Sequence, residues 1–449
     1  MPAISPARKA AFQILIAIEG GKSHADDLLH AESVTSLSPQ DRNLATALVL
    51  GTLRWQIRLD HQIQAHLTRP NARLDTEVRI ALRLGAFQLL HLDRIPSRAA
   101  IDESVELTKQ AGHHYASRMV NAVLRKLSAA PLTEFPKDSA ADLALAYAHP
   151  VWLVERWVRF LGFDAAKEIC RHGQHQPDLT VRLAGTATRS ELARQGIALE
   201  PGRLLVATHI VASGEITTTT AFREDRLRIQ DEGSQLIAEV AGHGDAILDC
   251  CAAPGGKTLI LAERSPEAHI IACEVSPRRF AHLRKRLESQ APRVECRLAD
   301  VAALAESGLY DLVLVDVPCS GTGTLGRNPE IRHRVEPGDL PRHAERQRAI
   351  LQAALRAARP GGHVVYSTCS LEPEENEEVV AAVLASAANT RIASMPGRLD
   401  EMLKGGVLTP GGANHLRHCV TPEGFLRLTP GASGSDGFFI ALLERSSAN

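Results

Sequence analysis

The chain has 449 residues, which is more than one ordinary hydrophobic core accommodates, so two or three domains are expected. Its 51 lysine and arginine residues nearly balance its 52 aspartate and glutamate residues, which argues against a globally basic nucleic-acid-binding protein. Aromatic residues make up 4% of the chain, too few for a protein that binds single strands mainly by base stacking.

The eight cysteines include no C-x-x-C pair, so the sequence predicts no zinc site. Several of them lie in or beside apolar runs, which fits reduced thiols in the cytosol better than disulfides. The N-terminus lacks the apolar run of a signal peptide, and no stretch approaches about 18 consecutive apolar residues. We therefore expect a cytoplasmic protein that binds neither a metal nor a membrane.

Residues 1–130 show the apolar spacing of helices throughout. Ser5-Pro6 and Ser38-Pro39 each place a capping serine before a proline at the first helical position. The helix that starts at Pro39 is predicted to stop at Gly51. The pattern therefore indicates an all-α domain. Its further helices are predicted over residues 53–67, 75–90, 99–110 and 114–127.

Prolines punctuate residues 131–225, which are predicted to form a linker and a small α+β domain. A helix is expected over residues 152–160, and short strands are expected over residues 180–183 and 204–210. His149, His172 and His175 lack the spacing of metal ligands relative to the cysteines, so we expect them at the surface.

Strands and helices alternate over residues 226–449, which is typical of a doubly wound, mostly parallel α/β sheet. A final strand over residues 437–443 is expected at an antiparallel edge. The other predicted strands cover residues 246–249, 269–274, 294–298, 310–316 and 363–367, and the predicted helices cover residues 257–264, 277–289, 342–358 and 374–385.

Two thiols and a carboxylate follow predicted strand ends. Residues 312–315 are an aliphatic run typical of a strand buried on both faces, and Asp316 comes where that run ends. Cys319 lies in the proline- and glycine-rich loop that follows, and Cys369 ends the next strand along. A single cysteine is ordinarily a small buried hydrophobe. Because ligands bind outside the carboxyl ends of parallel strands, we expect these three side chains to meet in one crevice.

A glycine turn follows the first predicted strand of this domain, in the sequence Asp249-Cys-Cys-Ala-Ala-Pro-Gly-Gly-Lys-Thr258. Adjacent glycines let a ligand approach the backbone, and the following helix offers free N–H groups. A P-loop is the competing interpretation, since residues 256–258 match the end of its pattern. However, Cys251 stands where that pattern requires its first glycine, and Pro254 removes an N–H from the phosphate cradle. A nucleoside-binding turn is therefore favoured.

Acidic residues follow the next two strands. Glu274 comes about 20 residues after the glycine turn, where an acid accepts hydrogen bonds from ribose hydroxyls. Asp300 follows the third strand and is placed to accept from an exocyclic amine. Either acid alone is equally well explained as a helix cap or a loop residue, although Ser276-Pro277 supplies its own cap after Glu274. Together they favour an adenosyl ligand.

These motifs resemble those of the RNA (cytosine-C5)-methyltransferases that use S-adenosylmethionine, and most closely the Sun/Fmu (RsmB) type that acts on small-subunit rRNA. The resemblance covers nearly the whole chain, with a shortened connecting domain and Val317 where the family commonly has alanine. Its most specific matches are residues 249–257, 316–323, 367–370, 373–376 and 436–439. In the N-terminal part, residues 8–12, 41–42 and 119–125 resemble the NusB-like RNA-binding domain.

The resemblance implies a NusB-like RNA-binding domain at residues 1–130, the small α+β domain at residues 131–225, and a class I (Rossmann-like) methyltransferase domain at residues 226–449. It implies S-adenosyl-L-methionine as cofactor and an unstacked cytosine of 16S rRNA as substrate, and we expect a monomer. Cys369 would be the nucleophile, Cys319 would release the product, and Asp316 would serve both catalysis and cofactor binding. The other implied cofactor contacts are Cys251, Ala252, Ala253, Pro254, Gly255, Gly256, Lys257, Glu274 and Asp300.

Cytosine chemistry accounts for these groups. C5 of cytosine is too poor a nucleophile to accept a methyl group unaided, and a thiolate that adds at C6 turns C5 into an enamine carbon. Asp316 is the candidate for supplying a proton to N3, and Cys319 for assisting departure of the C5 proton. The base must leave its stack, so single-stranded or looped RNA is expected. Arginines after the catalytic loop are candidates for phosphate contacts: Arg327, Arg332, Arg334, Arg342, Arg346 and Arg348.

Other interpretations stay open. The same chemistry could act on tRNA. A DNA cytosine-C5 methyltransferase would place its nucleophile in the Pro-Cys loop, at Cys319. A protein of another class, a NusB-like RNA-binding or antitermination factor, would carry a silent methyltransferase fold. The intact set of Asp316, Cys319 and Cys369 argues against that last alternative.

Overall fold

The computed structural model describes residues 4–21, 24–70, 73–130, 134–432 and 434–446. Its contacts divide the chain into two compact units. Unit 1 comprises residues 1–176 and 325–335, and unit 2 comprises residues 177–324 and 336–449. Residues 131–225, predicted as a linker and a small domain, are thus distributed over both units, and residues 131–133 lie outside the described residues.

Unit 1 is helical, which confirms the predicted all-α character of the N-terminal part. Apolar side chains from its longer helices form one continuous core. The helices are α1 (Pro6–Glu19), α2 (Ala25–Leu29), α3 (Glu32–Thr35), α4 (Pro39–Gln64), α5 (Thr76–His91), α6 (Ser97–Gln110), α7 (Ser117–Ala129), α8 (Ala140–Ala146), α9 (Val151–Leu161) and α10 (Phe163–His172).

Helix α4 runs through Gly51, so the predicted stop at that residue is wrong. Its start is as predicted, because the Ser38 hydroxyl accepts a hydrogen bond from the Asp41 amide at 3.1 Å. A Cβ at position 51 would lie 2.0 Å from Cζ of the Phe87 ring on α5. The glycine therefore allows close approach of a neighbouring helix and does not end its own.

The segment Leu325–Val335 packs within unit 1, although the residues that precede and follow it in the chain belong to unit 2. Arg332 in this segment is 1% exposed, and burial lowers its pKa to about 9. The expectation that Arg332 contacts phosphate is therefore wrong, since its guanidinium is engaged inside the unit. Both terminal nitrogens donate, over 2.9–3.2 Å, to the main-chain oxygens of Arg54, Ala148, Gly173 and Leu325.

His149 is fully buried in unit 1, which corrects its expected surface position. Its Nδ1 lies 2.6 Å from the carbonyl oxygen of Tyr147, and its ring meets Trp157 edge-on. Burial lowers the pKa of His149 well below its usual value, so the ring is neutral. Among the residues that the structure describes, no three His, Cys, Asp or Glu side chains are grouped to hold a metal ion.

Unit 2 begins with a small antiparallel sheet of order β2-β3-β1-β4. β1 coincides with the strand predicted over residues 180–183, whereas the strand predicted over 204–210 begins only at Thr208. The outer strands β2 and β4 were not predicted. The elements are β1 (Thr180–Leu183), α11 (Thr186–Arg194), β2 (Ala198–Pro201), β3 (Thr208–Ser213), α12 (Thr220–Arg223) and β4 (Leu227–Ile229).

A larger mixed sheet follows, of order β10-β12-β9-β8-β5-β6-β7, with β11 paired to β12. The strands from β9 to β7 are parallel, as predicted. The elements are α13 (Glu232–Ala241), β5 (Ala246–Asp249), α14 (Gly256–Arg264), β6 (His269–Glu274), α15 (Pro277–Gln290), β7 (Glu295–Leu298), β8 (Tyr310–Asp316), α16 (Asp339–Ala357), β9 (Ala358–Thr368), α17 (Glu377–Leu384), β10 (Thr390–Ile392), α18 (Met395–Lys404), α19 (Pro410–His418), β11 (Leu426–Leu428) and β12 (Phe438–Arg445).

The last strand, β12, is antiparallel as expected but does not form the edge of the sheet, since β10 pairs with its outer side. Helices cover both faces. Val313 and Val315 of β8 pack with α16 and α17, whereas Leu312 and Leu314 pack with α13, α18 and α19. Because β8 is covered on both faces, its functional groups can be presented only at its carboxyl end. No helix in the described part of the chain is long and apolar enough to cross a membrane.

Candidate active site

The predicted site residues start from neighbouring strand ends. β8 and β9 are adjacent and parallel, with Asp316 opposite Ser367, so the loops carrying Cys319 and Cys369 leave the sheet side by side. β5 pairs with the other side of β8, and Asp249 lies opposite Leu314. The glycine turn and both cysteine loops therefore open at the same edge of the sheet, as the sequence predicted.

The two thiols meet. The Sγ atoms of Cys319 and Cys369 are 3.3 Å apart, although 50 residues separate them in the chain. The hydrogen bond with Cys369, burial, and the nearby negative charges of Cys369 and Glu375 raise the pKa of Cys319 well above its usual value. In the protein without substrate, Cys319 is therefore a protonated thiol.

Asp316 accepts two hydrogen bonds beside these thiols. Lys257 Nζ donates to its Oδ2 at 2.7 Å, and the Ser367 hydroxyl donates to its Oδ1 at 2.8 Å. Burial works to lower the pKa of Lys257, but the charge of Asp316, its hydrogen bond and the charge of Cys369 together raise it. The pair thus places an ammonium group and a carboxylate next to Cys369.

A cavity of about 120 Å³ adjoins this ion pair. The sequence had indicated the glycine turn, Lys257 and Asp316 as cofactor contacts, and these line it. It had not indicated Ile229, Gln230, Ser234 or Arg286, which reach the cavity from β4, from the start of α13 and from α15, outside any local motif. The full lining is Ile229, Gln230, Ser234, Asp249, Cys251, Ala252, Ala253, Pro254, Gly256, Lys257, Arg286 and Asp316.

The other three predicted cofactor contacts do not line this cavity. Gly255 has a φ of 97°, which favours glycine, and its amide donates to the Ala252 carbonyl at 2.7 Å, so it shapes the turn. Glu274 is 3% exposed and accepts from the Ser276 amide at 2.8 Å. Asp300 is exposed and accepts from the Ala302 amide at 3.1 Å. Their contact with a nucleoside stays a prediction.

Asp249 also lines the cavity. Its Oδ2 accepts a hydrogen bond from the Thr258 hydroxyl at 2.7 Å, which ties the end of β5 to α14. Burial raises the pKa of Asp249 to about 7, against the lowering effects of Thr258 and Lys257. The side chain therefore titrates near neutral pH.

Glycines let three chain segments close around the thiols. The Gly323 amide donates to the Cys369 carbonyl at 2.9 Å, and the Gly437 amide donates to the Gly323 carbonyl at 2.8 Å. A Cβ at position 323 would lie 2.4 Å from the Gly437 oxygen and 2.8 Å from the Cys369 oxygen. Gly323 is therefore required by packing of backbone on backbone, whereas a Cβ at position 437 would lie 2.8 Å from side-chain atoms of Leu371 and Pro430.

Comparison with known proteins identifies the family of the chain that carries this site. Residues 239–444 match the family described as 16S rRNA methyltransferase RsmB/F, and residues 5–129 match the NusB family. The chain is 32% identical over 458 residues to the probable ribosomal RNA small subunit methyltransferase B of Bacillus subtilis (strain 168), covering 98% of each chain. The chain belongs to the RsmB/F family.

Other known proteins are similar over the same extent. Ribosomal RNA small subunit methyltransferase B of Pseudomonas putida (strain KT2440) is 30% identical, covering 98% of this chain and 99% of that one. The crystal structure of PH0851 superposes with a TM-score of 0.79 at 24% identity, covering 99% of both chains, which shows a shared fold. As a member of the RsmB/F family, the protein is a methyltransferase of rRNA that uses S-adenosylmethionine, with a NusB-type RNA-binding part.

Proposed function

We propose that this enzyme methylates C5 of a cytosine in 16S rRNA through a covalent bond between Cys369 Sγ and C6 of the base. The observation that carries the proposal is the 3.3 Å separation of two thiols beside Asp316 and the cavity at the glycine turn. Its substrate would be an unstacked cytosine, and the enzyme would act in the cytoplasm as a monomer.

The lining of the cavity fits part of S-adenosylmethionine, which would supply the methyl group to C5 when bound at the glycine turn. The residues that would hold it are those of the glycine turn, Gln230 and Ser234, with Lys257 and Asp316 at the border with the thiols. At Gly256, the three atoms nearest to the position of a Cβ belong to the Gln230 side chain, each at 3.2 Å, so the glycine leaves the space that a Cβ would fill beside Gln230. Polar side chains and free helix N–H groups give this space the lining that an adenosyl ligand requires.

Electrostatics favour Cys369 as the nucleophile. A thiolate at position 369 lies close enough to the Lys257 ammonium to interact with it, whereas the negative charge of Glu375 disfavours a thiolate at position 319. When Cys369 adds to C6, the displaced electron pair moves to N3, which takes a proton. The proton would come from the Lys257 ammonium and pass through Asp316, whose Oδ2 lies 2.7 Å from Nζ, to N3 of the base.

Cys319 would change its role after this addition. Two of the effects that keep Cys319 protonated are its hydrogen bond with Cys369 and the charge of Cys369. Both disappear once the Cys369 sulfur is a neutral thioether. Cys319 can then release its proton to solvent. The resulting thiolate would accept the proton of C5 after methylation, while the C5–C6 double bond forms and the Cys369 sulfur leaves with the C–S electron pair as a thiolate.

The test is to trap the covalent intermediate. Cys319→Ala incubated with 16S rRNA and S-adenosylmethionine should accumulate a protein–RNA adduct that survives a denaturing gel. The double variant that also carries Cys369→Ala should form none, and Cys296→Ala, a half-buried thiol of the same unit, should turn over like the unmodified protein.

Other outcomes would name a different function. An adduct formed by Cys369→Ala but not by Cys319→Ala would mean that Cys319 is the nucleophile, as in DNA-type enzymes. Methylation of tRNA but not of rRNA would favour the tRNA alternative. Absence of methyl transfer to either RNA by the unmodified protein would favour the binding-factor alternative.

A further inference from the structure

The two reactive cysteines share a buried acidic partner. Each cysteine is followed by a serine, and Ser320 and Ser370 both bond to the carboxylate of Glu375. The Ser320 hydroxyl donates to Oε2, and the Ser370 hydroxyl lies 2.5 Å from the same oxygen. The Ser320 amide donates to Oε1 at 2.9 Å. Glu375 is 0% exposed, so these bonds form away from water.

Glu375 is itself held by the surrounding fold. Nε2 of Gln347, on α16, donates to Oε1 at 3.0 Å, and the Tyr366 hydroxyl donates to the main-chain oxygen of Glu375 at 2.5 Å. The next residue, Asn376, donates through Nδ2 to the Ser370 carbonyl at 2.9 Å and accepts from Thr368 at 2.5 Å. The carboxylate therefore has a fixed position relative to both strands from which the cysteines start.

Charged hydrogen bonds of this kind are short and directional. Bonds to an ionised carboxylate are about twice as strong as bonds between neutral groups, and in a buried place they are not exchanged for water. Both serines are adjacent in the chain to a reacting cysteine. The carboxylate therefore fixes the backbone at positions 320 and 370, one residue beyond each thiol.

The reaction needs such a fixed separation. Under the proposed function, on which this step rests, Cys369 bonds to C6 while Cys319 must reach the proton on C5, the neighbouring ring atom. Both sulfurs must therefore stay at one small separation throughout the cycle. A misplacement of about 1 Å between reacting groups lowers a rate by about 100-fold.

We propose that Glu375 is a positioning residue that sets the distance between the nucleophilic thiol and the releasing thiol by binding the serine that follows each of them. It does not line the cofactor cavity. Its removal should therefore impair turnover without weakening cofactor binding.

The test compares Glu375→Gln with Glu378→Gln, since Glu378 is an exposed glutamate on α17. Glutamine has the shape of glutamate but lacks its charge. Its amide nitrogen donates a hydrogen bond where one carboxylate oxygen of glutamate accepts. We expect kcat of Glu375→Gln for rRNA to fall about 100-fold, with KM for S-adenosylmethionine changed by less than about threefold. We also expect the covalent RNA adduct to accumulate, because Cys319 is no longer held where it can accept the proton of C5. Glu378→Gln should match the unmodified protein.

The distance between the two thiols can be tested without methyl transfer. Phenylarsine oxide bridges two thiols that lie side by side, and intact mass measures the bridged protein. Bridging of Cys319 and Cys369 should be complete in the unmodified protein and in Glu378→Gln, and about tenfold weaker in Glu375→Gln. Should Glu375→Gln fail to fold, the double variant Ser320→Ala/Ser370→Ala removes both hydroxyl bonds to the carboxylate and keeps its bonds to Gln347 and to the main-chain amide of residue 320. Losses of kcat and of bridging in the same direction are expected of it.

Two results would overturn the inference. One is unchanged kcat and unchanged bridging in the folded variants. The other is a loss of kcat with unchanged bridging, because the effect would then not act through the thiol separation. Failure of the proposed function is a separate result: Cys319→Ala would form no RNA adduct, while the arsenical measurement on the free protein would still report whether Glu375 sets the distance.

Discussion

Replacing Asp249 by asparagine should remove a pH dependence from the stability of unit 2. Burial raises the pKa of this carboxyl from 3.8 to about 7. The folded unit therefore keeps a proton that the unfolded chain releases, so the free energy of unfolding falls as the pH rises from about 4 to about 7 and is constant above that. A difference of about 3 pKa units corresponds to about 4 kcal/mol.

An asparagine side chain at this position would keep the shape of the aspartate and an acceptor for the Thr258 hydroxyl, but it cannot ionise. Compared with the unmodified protein, Asp249→Asn should be similarly stable near pH 4 and more stable, by about 4 kcal/mol, near pH 8. Urea unfolding of the protein without cofactor measures this. The three tryptophans, Trp55, Trp152 and Trp157, all lie in unit 1, so a change in circular dichroism without a change in tryptophan fluorescence reports unit 2.

Asp245 provides the matched control. It lies just before the other end of β5 and is exposed, so Asp245→Asn should differ from the unmodified protein by the same amount at every pH. Curves of unfolding free energy against pH that run parallel for Asp249→Asn and the unmodified protein would refute the reasoning. Such curves would mean that Asp249 is ionised at a similar pH in the folded and unfolded states.

Two further substitutions test the packing of each unit. Gly323→Ala should abolish methyl transfer, because the new Cβ would lie 2.4 Å from a backbone oxygen, whereas Gly411→Ala, with open space at that position on α19, should keep normal turnover. Arg332→Met should lower the unfolding free energy of unit 1 by about 3 kcal/mol, since several buried carbonyls lose a charged donor. The tryptophan fluorescence transition measures this, and an unchanged midpoint would contradict the expectation.

The central strands could be predicted from the sequence because their signals are local. β5, β6 and β8 begin and end at the predicted residues: an apolar run bounded by glycine, proline or an acid leaves few alternatives. β2, β4 and β10 have only three or four residues each, and the pairing partners of β4 and β10 lie far away in the chain. Short strands of this kind are stabilised by tertiary pairing, and no local pattern announces them.

Side chains at strand ends could be predicted, but the groups that position them could not. Cys319, Cys369 and Asp316 follow strands, and topology alone brings them to one edge. Nothing in the sequence around Glu375 predicts that its carboxylate binds serines of two different loops. Arg332 has the composition of a surface residue, yet main-chain oxygens from four parts of unit 1 surround it. Partners of this kind depend on how distant segments approach each other.

Two kinds of restraint hold the thiol loops, and they predict different severities. The main-chain bonds from Gly323 to Cys369 and from Gly437 to Gly323 join the loops directly and do not involve Glu375. The carboxylate acts through the residue that follows each cysteine. Loss of Glu375 should therefore leave the main-chain bonds between the loops intact. The distance between the two Sγ atoms should become variable, which lowers kcat in a folded enzyme. Gly323→Ala must part the loops themselves, so it should also abolish arsenical bridging. Equal residual activity in both variants would instead assign the thiol separation to the backbone pairing alone.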